Sequence, residues 1–193
     1  MKKTLLLAGV ACVLMTTQAQ AANWFTTQAD HMARTSKIYV GADYAFDSVD
    51  FKGNLREAKQ DYNSGIFNIG SRMGNYGVEF FGQWSFGRSK DTPEGKLKTK
   101  INAYGMDMYG YLPLGCEGKY DVLATIGVAD YYYKGFRGEN NDSNNRLGWR
   151  IGGGAMYNMT EHVSARIVGR YAYIGASDLN HVAEVTAGLR YNF

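Results

Sequence analysis

The feature that most constrains this chain is an alternation of apolar and polar residues that recurs along it. The clearest example is the last eleven residues, AEVTAGLRYNF, in which every second residue from Ala183 to Phe193 is apolar. Alternation with a period of two indicates a β-strand with two different faces. About 9–11 tilted residues cross a bilayer as a strand. The pattern occupies eight segments: 37–48, 65–73, 77–87, 100–112, 120–133, 146–158, 163–174 and 181–193.

The connections between these segments alternate in length. Short turns are predicted at 74–76, 113–119 and 159–162. Longer polar loops are predicted at 49–64, 88–99 and 134–145, and a shorter one at 175–180. Short turns at one rim and long loops at the other are typical of bacterial outer-membrane barrels. The predicted fold is therefore all-β, an eight-stranded antiparallel up-and-down transmembrane β-barrel.

The first 21 residues have the pattern of a secretory signal peptide. Lys2 and Lys3 precede an apolar stretch that is too short to span a membrane as a helix, and Ala19-Gln20-Ala21 is an A-x-A cleavage site. We expect a signal peptide over 1–21, a periplasmic tail over 22–36 and the barrel over 37–193. Cleavage removes Cys12, leaves Cys116 alone and lowers the formal net charge of +3 by two. A near-neutral mature chain gives no reason to expect nucleic acid as a partner.

Alternation alone does not decide which face is inside, because a soluble β-sandwich or a lipocalin-like barrel has the same period. Three features favour a membrane barrel with a polar interior. Charged residues lie at mid-strand, the polar face is rich in glycine, and aromatic residues lie near the strand ends, where membrane interfaces favour them. We predict an interior ion network of Asp43, Glu79, Asp107, Arg150, Arg166, Arg170, Glu184 and Arg190. With Asp47 and Arg72 added, the predicted interior holds five carboxylates and five arginines.

Such a network is expected to close the lumen. Buried charges must be paired, and an eight-stranded barrel is only wide enough to be filled by side chains, whereas wide channels need about 16 strands. A gated small pore would require the ion pairs to rearrange.

Several stretches resemble those of a known family. They are GVEFFGQWSFG at 77–87, the run at 110–132, the run at 151–175 and the terminal GLRYNF. Together, in this order, they resemble the OmpA-like transmembrane β-barrels of Gram-negative outer membranes, with OmpX-type and opacity-type barrels as close relatives. The resemblance implies residence in the outer membrane and assembly by periplasmic chaperones and the barrel-assembly machinery. It also implies that Tyr191 and Phe193 belong to the terminal signal for that machinery.

Three functional hypotheses follow. The favoured one is a non-catalytic barrel that contributes to envelope structure, with a small conductance left open. The second is a surface adhesin that acts through loops 49–64 and 134–145. The third is a lipid A-modifying enzyme that uses His162 and Ser164; it is disfavoured because His162 falls in a short turn and Ser164 points inward. We expect no catalytic residues, no metal and no cofactor.

The expected partners are lipids. Arg88, Lys90, Lys96, Lys98 and Lys100 form a basic segment that either contacts lipopolysaccharide phosphates or is merely solvated. We expect a monomer, although the sequence does not fix the oligomeric state. The sequence also leaves open the ligands of the loops and the role of the tail.

Overall fold

The structure is a computed structural model that describes residues 36–51, 61–92, 95–114, 119–137, 140–175 and 179–193. The predicted signal peptide, the predicted tail up to residue 35, and Cys116 lie outside the described residues. The strands are β1 (Ser36–Phe51), β2 (Asp61–Met73), β3 (Tyr76–Ser85), β4 (Arg88–Thr92), β5 (Gly95–Leu114), β6 (Tyr120–Arg137), β7 (Asn140–Asn158), β8 (Val163–Tyr173) and β9 (Leu179–Asn192). No helix among these residues is long and apolar enough to cross a membrane.

The strands close into a barrel. The sheet order is β3-β2-β1-β9-β8-β7-β6-β5-β4, and β3 also pairs with β5. β3 and β4 pair with successive stretches of β5, so together they form a single strand of the barrel wall. The nine segments therefore make an eight-stranded antiparallel barrel. The last strand, β9, pairs with β1 from Tyr39↔Asn192 to Phe51↔Leu179. The predicted fold class is therefore confirmed.

The two faces of each strand are distributed as the alternation predicts. Large apolar side chains such as Phe46, Trp84 and Ile151 are exposed on the outer wall, while Asp43, Glu79 and Arg150 are buried inside. The exposed apolar wall is what lipid tails require, because they offer no water to hydrogen-bond. The alternative of a soluble barrel with an apolar interior and a polar surface is therefore wrong.

Two of the predicted long loops are instead paired strands. Residues 88–92 and 95–99 pair as β4 and the start of β5, and residues 134–137 pair with 140–143 as the ends of β6 and β7. A hairpin beyond the membrane needs no apolar face, because its backbone hydrogen bonds continue the ladder below. This explains why a polar sequence without alternation was predicted as loop.

A bulge lies where β3 ends and β4 begins. Trp84 pairs with Asn102 and Arg88 pairs with Thr99, so three residues face two on β5. The amide of Ile101 donates to the hydroxyl oxygen of Ser85 at 2.8 Å rather than continuing the ladder. Bulges of this kind are common at barrel rims, where they redirect side chains.

Glycines on the inner face leave room for charged side chains. Gly188 faces Asp43 across the β1–β9 pair, and Gly127 faces Asp107 across the β5–β6 pair. A Cβ at either glycine would overlap the facing carboxylate. These two positions therefore require glycine because of close approach, which is the crowding that the glycine-rich polar face predicts.

Candidate functional site: the closed lumen

The eight residues predicted for the ion network all lie in the middle of the lumen. Each is no more than 6% exposed. Four are arginines and four are carboxylates, and they form two sets of ion pairs that the Tyr109 hydroxyl connects. The set has two layers, one nearer the short turns and one nearer the long hairpins.

The layer nearer the short turns is centred on Arg166 of β8. Its guanidinium binds both carboxylate oxygens of Asp43, through Nε at 3.0 Å and through Nη2. It also binds both oxygens of Glu79, through Nη1 at 2.9 Å and Nη2 at 3.0 Å, and donates to the Tyr109 hydroxyl at 3.1 Å. Two forked pairs on one guanidinium use the planar donor geometry that distinguishes arginine from lysine.

Arg190 of β9 completes this layer. Its Nη2 lies 2.5 Å from Glu79 Oε2, and its Nη1 donates to the Tyr111 hydroxyl at 3.0 Å. The guanidinium carbon lies 4.3 Å from the centroid of the Tyr39 ring, a cation–π contact. Glu79 is therefore held by two arginines and by the Tyr39 hydroxyl at 3.1 Å.

The second layer joins Arg150 and Arg170 to two carboxylates. Both arginines bind Glu184 Oε1, at 3.1 Å and 2.8 Å, and both lie beside Asp107, at 3.2 Å and 3.4 Å. Arg170 Nη2 also donates to the Tyr109 hydroxyl at 2.5 Å. Since Arg166 binds that same hydroxyl, Tyr109 links the two layers.

The pairing differs from the predicted balance of five charges against five. Arg72 does not join the central network; it forms a two-bond pair with Asp121 at 2.9 and 3.0 Å, nearer the short-turn rim. Asp121 is thus a sixth inward carboxylate. Asp47 accepts from Ser64 and from Gln83, the latter at 3.0 Å, and none of its contacts among the described residues is with an arginine. It lies directly opposite Glu184 on β9.

An apolar cluster fills the lumen between the network and the long hairpins. It was not predicted from the sequence. Its members are Ala45, Val49, Phe51, Tyr62, Ile66, Phe81, Ile101, Ala103, Ala129, Tyr131, Tyr133, Ala172, Leu179 and Val182. All except Leu179 lie an even number of positions from an inward charge on the same strand, and Leu179 lies beyond the irregularity in the β1–β9 register. Counting every second residue from the inward charges of each strand finds all of them except Leu179. The Phe81 ring also packs under the guanidinium of Arg150 at 4.2 Å.

His162 and Ser164, the residues of the enzyme hypothesis, are not arranged as a catalytic pair. The Ser164 hydroxyl donates to Asn158 Oδ1 at 2.9 Å and is buried. The His162 ring is exposed in the turn before β8, where it stacks on Tyr191 and lies 3.1 Å from the carbonyl of Asn192. The histidine thus fastens the end of β9 to this turn, and the serine hydroxyl is directed to an amide rather than to the imidazole.

The predicted assembly signal lies at the short-turn rim. The amide of Phe193 donates to the Ile38 carbonyl at 2.9 Å, and its ring packs edge-on against Tyr191. Phe193 is 69% exposed. The structure therefore shows an accessible terminal ring, and its role in assembly stays a prediction.

The basic segment lies on the hairpin at the opposite rim. Lys98 and Lys100 are exposed on β5, and Arg88 is half-buried on β4. Lys90 and Lys96 belong to β4 and β5 by their backbones, and their side chains lie outside what the structure describes. Their contact with lipopolysaccharide stays a prediction.

Comparisons with known proteins agree with this architecture. The model of the family described as outer membrane protein beta-barrel domain matches residues 8–193. A search of curated protein sequences finds no match.

Three solved structures illustrate the shared fold. Neisserial surface protein A is 19% identical, with a TM-score of 0.67, covering 81% of this chain and 97% of that one. A major outer membrane protein from Thermus thermophilus is 15% identical, with a TM-score of 0.58, covering 82% and 100%. Ail, the attachment invasion locus protein of Yersinia pestis, is 13% identical, with a TM-score of 0.56, covering 82% and 97%. At these identities the likeness concerns the fold alone.

The matched family implies the bacterial outer membrane as location, and the resemblance to small outer-membrane barrels is confirmed. The chain belongs to the outer membrane protein beta-barrel family.

Proposed function

We propose that this protein is a non-catalytic structural barrel of the outer membrane whose lumen is closed to ions. The observation that supports this most is the filling of the lumen in two successive zones, the paired ion network and the apolar cluster. An ion that crossed the barrel would have to separate buried ion pairs and then pass an apolar zone that gives it no hydration. Both steps carry costs of several kcal/mol.

Conductance of the purified, refolded barrel in planar lipid bilayers tests the closed lumen. We expect no discrete channel steps for the wild-type protein. A variant with the apolar cluster truncated and the network interrupted, Phe81→Ala with Tyr131→Ala and Arg150→Ala, should conduct if these side chains are the barrier. Regular steps from the wild-type barrel at low voltage would overturn the proposal and favour a small pore.

The non-catalytic part is tested by rescue. A strain that lacks the gene should show increased sensitivity to detergent if the barrel supports the envelope. Wild-type protein and the His162→Ala, Ser164→Ala double variant should restore resistance equally, and mass spectrometry should find the same lipid A in all strains. Loss of acyl chains that depends on Ser164 would establish the enzyme instead.

An adhesin is the second candidate, because the hairpins β4–β5 and β6–β7 extend the barrel wall at the long-loop rim. Ail, which shares the fold, has been crystallised with the heparin analogue sucrose octasulfate. Binding of the refolded protein to host cells or matrix proteins, lost when the segment between Phe51 of β1 and Asp61 of β2 is shortened, would support this candidate over a purely structural role.

A further inference from the structure

The outer wall near the long-loop rim carries three lysines on two adjacent strands. The side chains of Lys98 and Lys100 on β5 point outward, because Thr99 between them and Ile101 after them are buried inside. Lys134 on β6 also points outward, since Tyr133 before it is buried. Lys100 and Lys134 lie directly opposite each other in the β5–β6 register.

Two like charges directly opposite on neighbouring strands destabilise a sheet. Among the described residues no carboxylate pairs with Lys98 or Lys100. The described contact of the Lys134 ammonium is with the Tyr132 ring, at 5.2 Å from its centroid. The outward carboxylate further down this wall, Asp130, is engaged by the Tyr104 hydroxyl at 3.1 Å and by Asn145 at 3.0 Å. Among these residues nothing therefore offsets the repulsion between Lys100 and Lys134. An anion bound from outside the protein would offset it.

The bulge beside these lysines provides space for such an anion. A cavity of about 270 Å³ is lined by Gly87, Arg88, Ser89, Lys98, Thr99 and Lys100. Gly87 has no side chain to fill it, and a Cβ there would come 3.9 Å from the Cβ of Lys100. Ser89 pairs with Lys98 and therefore shares the outer face with Lys98 and Lys100, so the notch has two ammonium groups and one hydroxyl, donor types that bind phosphate. Thr99 and its partner Arg88 lie on the lumen face, where the Thr99 hydroxyl contacts Tyr62.

The position on the barrel identifies the source of the anion. Trp84 and Tyr104 are exposed on the same outer wall nearer the short-turn rim than Lys100, and Phe86 is exposed in the bulge at the level of Lys100. Lys100 precedes Tyr104 by four residues, or about 13 Å along the strand. Aromatic side chains mark the depth of the membrane interface, so cations just beyond them on the lipid-facing side lie at the level of lipid headgroups. A soluble ligand of the hairpin tips would instead be met above this level.

We propose that Lys98, Lys100 and Lys134, with the notch at Gly87, bind the phosphate groups of an anionic glycolipid headgroup in the outer leaflet. The proposal concerns the outer wall and is independent of whether the lumen is closed. It adds Lys134 and the bulge to the basic segment that the sequence indicates. It rests on the family's orientation, with the long-loop rim facing outward.

The test compares Lys100→Gln/Lys134→Gln with a control, Lys37→Gln/Lys119→Gln, which removes the same charge at the short-turn rim. Binding of bisphosphorylated lipid A to the refolded barrel in neutral detergent is followed by native mass spectrometry. Each lysine at a membrane surface contributes about a fivefold effect at moderate salt, so the test variant should bind about 25-fold more weakly. The control variant should bind like the wild type, and Lys100→Arg/Lys134→Arg should retain most binding. Dephosphorylated lipid A should not distinguish any of these proteins.

Three results would overturn the proposal. The first is unchanged lipid A binding by the test variant, and the second is an equal loss in the control variant. The third is tight binding of free phosphate or sucrose octasulfate that displaces lipid A, which would assign the lysines to a soluble ligand. Folding is checked separately: without lipid, the glutamine test variant should melt no lower than the wild type, because the repulsion between Lys100 and Lys134 is gone. Conductance of the same variant reports on the closed lumen independently.

Discussion

Replacing Arg166 by methionine is the sharpest test of the central network. The substitution keeps an unbranched apolar chain of similar length and removes every hydrogen bond that the guanidinium makes to Asp43, Glu79 and Tyr109. Glu79 keeps Arg190 and the Tyr39 hydroxyl. The carboxylate of Asp43 keeps the Asn68 amide, which donates to it at 2.8 Å.

The expected loss of unfolding free energy is about 3–5 kcal/mol, which is the usual cost of leaving a buried charge without its partner. Two features of the structure place it toward the upper part of that range. Arg166 holds two carboxylates rather than one, and Glu79 lies directly opposite Asp107 in the β3–β5 register. Without Arg166, the repulsion between those two carboxylates is less compensated.

Two further variants separate electrostatics from packing. Asp43→Asn combined with Arg166→Met removes the stranded charge and should recover part of the loss. Arg72→Met breaks a pair in which the arginine side chain is 24% exposed and the Asp121 side chain 1% exposed. It should cost less, about 1–3 kcal/mol, because Arg72 binds one carboxylate rather than two, and Asp121 keeps the Asn158 amide, which donates to it at 3.0 Å.

The assay is urea unfolding of the barrel in lipid vesicles, followed by the shift in gel migration between folded and unfolded forms. A loss below about 1 kcal/mol for Arg166→Met would refute the view that buried ion pairs hold the lumen. So would an equal loss for Arg72→Met, because binding two carboxylates rather than one would then make no difference.

Three other predictions follow from single contacts. Gly188→Val should prevent folding or destabilise the barrel by more than about 2 kcal/mol, since its Cβ would overlap the Asp43 carboxylate, as urea titration will show. Gly169→Ala, on the outer wall with its nearest atom 3.9 Å from the added Cβ, should change stability by less than about 0.5 kcal/mol in the same titration. Deleting Phe193 should reduce outer-membrane assembly strongly, measured by fractionation, while costing the refolded barrel only about 1 kcal/mol. The folded state loses one backbone hydrogen bond and an exposed ring.

The sequence predicts which residues face the lumen wherever side chains alternate between the two faces of a strand. Because side chains alternate along a regular strand, one mid-strand charge fixes which face each residue of that strand points to, as far as the first bulge. Asp107 thus implies that Tyr109 and Tyr111 are inward, and both are buried. The mid-strand charges by themselves mark only the ion network. The apolar cluster carries no charge of its own, and it follows from the sequence only when the same alternation is continued toward the long-loop rim.

The ends of the strands were harder to predict, since their physical basis is different. Within the membrane, lipid requires an apolar outer wall, and a strand with one apolar and one polar face has an alternating sequence. Beyond the membrane, β4 and the ends of β6 and β7 are held by backbone hydrogen bonds to their neighbours. Such bonds are independent of side-chain type, so polar residues there carry no signal that separates a paired strand from a loop.

Partner choice within the network depends on a third quantity, the stagger of the strands around the barrel. Arg72 and Asp121 are 49 residues apart on strands that are not neighbours, and their pairing requires the side chains to meet across the lumen. Residue counts alone paired five charges with five and thereby assigned a counterion to Asp47. The structure gives Asp47 hydroxyl and amide donors instead. If that environment suits a neutral carboxyl, Asp47→Asn should leave the unfolding free energy within about 1 kcal/mol of the wild type, whereas Asp43→Asn, which strips Arg166 of a forked partner, should cost more. Equal losses of unfolding free energy in urea titrations of the two variants would mean that Asp47 is ionised and that its neighbours stabilise its charge as strongly as Arg166 stabilises that of Asp43.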